Sequence, residues 1–173
     1  MNMIVTMTKE KFERLEDERL GWLCVEQTLM FVRGRDAEVK KQAMGQLNDA
    51  QRAACMFRVL YDHAKPSAAE FYAWIAYLLD TPGYWDGVRS AARFFADEDM
   101  LKLLEESKAG IELECRHRGI TLQQVSMSDL QANEELDRKI NALYERFLAV
   151  SEQSHARIAD YIRSNPSTFV HLT

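Results

Sequence analysis

Leu136, Ile140, Leu143, Tyr144, Phe147, Ile158, Tyr161 and Ile162 recur at helical spacing through a stretch, Asp129 to Ser164, that has no proline or glycine. This is the longest helical pattern in the chain, and it puts an all-α fold ahead of any built on sheets. Ser128 and Gln131 are spaced as a capping box at its start. Asn165-Pro166 ends it, because proline cannot continue a helix. The Ser151 to Ser154 stretch is the expected place for a kink.

The same periodicity runs through the rest of the chain. Thr8 caps a first expected helix over 8–33, bent at Gly21 and closed by Gly34. A short, weaker helix follows near 38–47. Asn48 or Asp49 starts the next, over 49–64, with Ala50, Ala53, Ala54, Phe57, Leu60 and Tyr61 on one face. Ser67 with Glu70 reads as a second capping box and opens 68–79. Thr81-Pro82-Gly83 is a turn, and 84–96 is the following helix. Asp97 caps 98–118, which stops at Gly119. A connector, ITLQQVSM, leads to 129–164, and the tail 165–173 folds back onto the body. With three prolines and seven glycines there are too few turn formers for a fold of many tight turns. The expectation is one domain over 1–173, an irregular bundle of six or seven helices.

The segment EFYAWIAYLLDTPGYW, from Glu70 to Trp85, holds six of the chain's 17 aromatic residues. Each helical residue advances about 100°. With Phe71 at zero, Trp74, Ile75 and Leu78 lie within about 60° and form a core stripe. Tyr72 sits near its edge and Tyr77 outside it. In the next helix Trp85 and Phe95 share the inner arc and Phe94 does not. Phe71, Trp74, Trp85 and Phe95 are therefore expected in the core. Tyr72, Tyr77 and Phe94 are the candidates for contact with a protein partner or a second copy of the chain.

The net charge of −5 disfavours a direct nucleic-acid binder, which needs a basic stripe. Cys24, Cys55 and Cys115 form no disulfide framework. No secretory signal or run of about 20 apolar residues is present, so a cytoplasmic protein with no membrane contact is expected. Phosphate-binding glycine loops, nucleophile elbows and paired CxxC are missing. One pattern does carry chemistry: Glu114 with His117 and Glu152 with His155 each read E-x-x-H. At that spacing the carboxylate and imidazole share one side of a helix. Two such pairs plus one glutamate from each of two further helices make a di-iron ligand set. Glu26, among the apolar residues of the first helix, and Glu70, opening another, meet that count. A metal-binding bundle, holding di-iron or another divalent metal, is thus the alternative to a chain without cofactor.

The order LNDAQRAACMFRVLYDHAKPSAAEFYAWI and the closing IADYIRSNPSTF resemble the bacterial DNA-mimic-like domain family. Phe71 and Trp74 match its aromatics, and Tyr161-Ile162, Asn165-Pro166 and Phe169 match its end. Ala69 and Glu70 stand where that family has a glycine pair. The resemblance implies a helical, acidic, non-enzymatic protein that binds other proteins and forms a dimer. The leading expectation is therefore a non-enzymatic interaction module acting on a basic partner, with the metal-dependent bundle as the alternative.

Overall fold

The computed structural model describes residues 4–173. The chain runs β1 (Val5–Met7), α1 (Lys9–Arg14), α2 (Asp17–Val32), α3 (Ala37–Gly45), α4 (Asp49–Ala64), α5 (Ala68–Asp80), α6 (Tyr84–Phe94), α7 (Glu98–Arg118), α8 (Asp129–Ala132), α9 (Glu134–Ser164) and β2 (Val170–Leu172). This is an all-α bundle with one small sheet. α9 packs against α2, α5 and α7, while α4 is flanked by α2, α5 and α6. One hydrophobic cluster fills the space between them, including Leu20, Leu60, Phe71, Ile75, Ile111, Phe147 and Ile162. No helix among the described residues is long and apolar enough to cross a membrane.

Local chemistry sets most helix starts. Asn48 accepts from the Gln51 N–H while the Gln51 side chain accepts from the Asn48 N–H, a reciprocal cap that fixes α4. Ser67 and Asp97 cap α5 and α7 through their side chains. At Ser67 only half of the expected box forms: its Oγ takes the Glu70 N–H, and the Glu70 carboxylate turns to the same hydroxyl. Gly119 ends α7 at φ 65°, a conformation that costs a side-chain-bearing residue about 1 kcal/mol or more.

Two expected helices are each two. The first breaks at Leu15 and Glu16, both extended, rather than bending at Gly21. The cause lies far along the chain. Arg163 of α9 donates to the Leu15 carbonyl at 2.9 Å and to the Asp17 carboxylate at 2.6 Å, so the corner is held from outside. Gly21 instead lies inside α2, where a Cβ would stand 3.7 Å from Ile158 of α9. The last helix breaks at Asn133. Ser128 makes no side-chain cap, and the Asn133 side chain accepts from the Leu136 N–H to start α9. From there α9 runs unbroken past Ser151 and Ser154, which are both buried. The connector after α7 contains a 3₁₀ turn over Leu122–Gln124.

The tail does pack onto the body, but as a strand. β2 pairs in parallel with β1, with Val5 opposite Val170 and Met7 opposite Leu172. Met7 and Val170 of the two strands are buried, as is Phe169 just before β2.

Candidate functional site

The aromatic segment divides differently from the Phe71-centred stripe. Phe71, Tyr72, Ile75, Ala76 and Leu78 are all buried, so the buried arc of α5 centres roughly 50° beyond Phe71, near Ile75. The physical reason is that α5 is packed by α4, α7 and α9 together, which widens its buried side toward Tyr72. Tyr72 therefore offers no surface to a partner. Its hydroxyl donates to Asp129 at 3.4 Å, and Asp129 is also clamped by Arg118 at 3.0 and 3.1 Å. The Arg118 hydrogen bond holds the Asp129 carboxyl below its ordinary range, and burial pushes the Tyr72 phenol up. Trp74, expected in the core, lies half-buried at its edge.

The rings left outside form a ladder. His63, at the end of α4, stacks on Trp74 with centroids 4.0 Å apart and planes at 10°. Trp74 stacks on Tyr77 at 4.7 Å and 19°. Tyr84, opening α6, meets Tyr77 edge-on at 6.2 Å. Backbone hydrogen bonds hold the inner rungs, because the Val59 carbonyl accepts from Trp74 Nε1 at 3.0 Å and lies 3.1 Å from His63 Nδ1. Between Trp74 and Tyr84, Tyr77 is still 46% exposed, and His63 is exposed at the end of the ladder. Phe94 is 37% exposed, set edge-on against Phe95 and Tyr161 at the far end of α6.

On another side of α4 a cleft of about 440 Å³ is lined by Glu16, Glu18, Arg19, Trp22, Arg58 and Asp62. Arg58 is its buried floor. The guanidinium lies 5.0 Å from the Trp22 ring and 5.1 Å from Tyr61. Asp62 takes two of its N–H groups and Glu18 a third at 3.4 Å. Lys65 approaches the same two carboxylates at 3.7 and 3.8 Å. Charges of both signs are thus matched within the group, and the cleft presents neither a bare anion site nor a bare cation site. Arg58 lies about 100° from Phe57, past the edge of the apolar stripe of α4, so the helical pattern gives no sign of this cluster. Replacing Arg58 by methionine keeps the stem packing and removes the ion pairs. Asp62 and Glu18 keep access to water, so the expected loss is about 1–2 kcal/mol, below that of a fully buried pair. Urea unfolding at low and high salt checks it, and the loss should shrink in high salt.

The E-x-x-H residues are spread apart. His155 is buried between Phe57, at 5.0 Å, and Tyr61, at 4.5 Å, and both rings meet it edge-on. Its Nε2 has no hydrogen-bond partner among the described residues. Burial drives its pKa from 6.5 to about 4. Glu152 and His117 are exposed, and Glu114 lies 3.5 Å from the Asn133 amide. Glu26 sits half-buried in α2, and Glu70 is engaged by Ser67. Among the described residues, no three His, Cys, Asp or Glu side chains are grouped to hold a metal ion. All three cysteines are buried, and burial lifts Cys24 and Cys55 to about 12, which keeps them as thiols. Comparison with protein-family models, with curated proteins and with solved structures gives no match for this chain.

Proposed function

We propose that this chain is a non-enzymatic protein-interaction module acting on a basic partner. The observation that supports the reading is the aromatic ladder, in which the Val59 carbonyl fixes Trp74 and Tyr77 remains exposed to solvent. Rigid aromatic rings supply contact area at little cost in side-chain entropy, which is what a recognition surface needs. The net charge of −5 favours a partner of opposite sign. In its sharper form the module regulates a basic nucleic-acid-binding protein through an acidic surface, in the manner of the DNA-mimic-like proteins it resembles.

The test is affinity capture from a cell extract with the parent protein and a Tyr77→Ala, Phe94→Ala double variant. Both substituted side chains are substantially exposed, so circular dichroism should show the two proteins equally helical. A basic protein held by the parent, released by salt and not held by the variant is the expected result. Identical capture by both proteins would remove the reading.

A further inference from the structure

Several rings of this protein carry a cation from their own chain. Arg58 lies over Trp22 and Tyr61, Lys65 over Tyr61 at 4.8 Å, and Arg35 over Phe31 at 5.8 Å. Tyr77 is more exposed than Phe31, yet no cation of the chain covers it among the described residues. Trp74 stacks on one of its faces, Tyr84 meets it in a T-shaped arrangement, and 46% of the residue remains exposed. Carboxylates are nevertheless close by in the helical pattern. Glu70 and Asp80 lie roughly 20° and 60° around α5 from Tyr77, on opposite ends of its stripe. Glu70 is held by the Ser67 hydroxyl, whereas Asp80 is exposed and forms no ion pair among the described residues. An exposed ring with the unpaired carboxylate of Asp80 on its own side of the helix is the complement of a cation that also stacks.

Resting on the interaction reading above, we infer that the Tyr77 face receives an arginine side chain of the partner protein, its guanidinium lying on the ring and pairing with Asp80. Arginine fits better than lysine. Its planar, weakly hydrated guanidinium stacks on an aromatic face and still presents in-plane donors to a carboxylate, whereas an ammonium holds its water more tightly.

The experiment is calorimetric titration of the intact protein with an arginine–glycine repeat peptide and with a lysine–glycine peptide of equal charge. The arginine peptide should bind about threefold or more tightly than its counterpart. Tyr77→Ala and Asp80→Asn should each weaken it by about three- to tenfold and erase the preference. Tyr77→Phe and the charge-matched control Asp99→Asn should leave both intact. Equal affinity for the two peptides, or unchanged binding by Tyr77→Ala, overturns the proposal. So does a parent that dimerises through this face and becomes monomeric on Tyr77→Ala, because the occupant is then a second copy. If capture is lost in the double variant while the two peptides bind alike, the interaction surface stands and only arginine as its occupant is removed.

Discussion

Truncating Phe147 to alanine should destabilise the protein by about 3–5 kcal/mol. This side chain has no exposed surface, and it sits where α9 meets both α4 and α5. Its ring lies 5.2 Å from Phe71 and 6.3 Å from Tyr61, so it joins three helices through one set of contacts. Removing it loses the transfer free energy of the buried ring and leaves a cavity that rigid helices close only in part. Urea unfolding at neutral pH reads the effect as a lower midpoint with an unchanged slope. A loss below about 1 kcal/mol would mean that the three helices collapse together once the ring is gone, contrary to a tightly packed junction.

The second large effect depends on pH. An unfolded histidine titrates near 6.5, whereas His155 in the fold titrates near 4. Above pH 6.5 the imidazole is neutral in both states and takes nothing from stability. As the pH falls through 6.5 the unfolded chain accepts a proton that the folded chain refuses, and stability drops until about pH 4. The integrated loss is about 3 kcal/mol. Burial dominates; Asp17 and Glu18, from the first turn of α2, oppose it, and Arg58 and Lys65, from α4 and its end, add to it. His155→Phe should keep the ring contacts with Phe57 and Tyr61 and abolish this share of the pH dependence. At pH 7 parent and variant should be similar in stability, and at pH 4.5 the variant should be more stable by about 2–3 kcal/mol. Taking the difference between the two proteins cancels the carboxylates that titrate in the same range. Parallel stability curves from pH 7 to 4.5 would show that His155 takes up its proton without leaving the fold.

Helices whose signals are local are legible in the amino-acid pattern alone. α4 and α7 start and stop at the expected residues because Asn48, Asp97 and Gly119 act on their own neighbours. Apart from the local cap at Asn133, the features that the pattern does not reveal are set by distant partners. The break at Leu15 depends on Arg163, and no local residue announces it. β1 and β2 are three residues each and find each other across nearly the whole chain, so neither has a pattern long enough to register alone. The same limit applies to the site. Tyr77 and Phe94 fall outside their helices' inner arcs, and they are exposed. Tyr72 falls near an arc's edge too, but α5 is enclosed on more sides than one stripe allows. The His63–Trp74 stack joins two helices, and the sequence carries no sign of it.

The small sheet has a mechanical consequence. Its two strands run in the same direction, yet one lies at residue 5 and the other ends near residue 172. Tension applied between the outer ends of the described chain drags the strands past each other lengthwise. The bonds from Val5 to Phe169, Thr173 to Met7 and Lys9 to Thr173 lie across that direction and bear the load together. The pair acts as a clasp in shear, and the helices inside it feel no stretch until several bonds rupture at once.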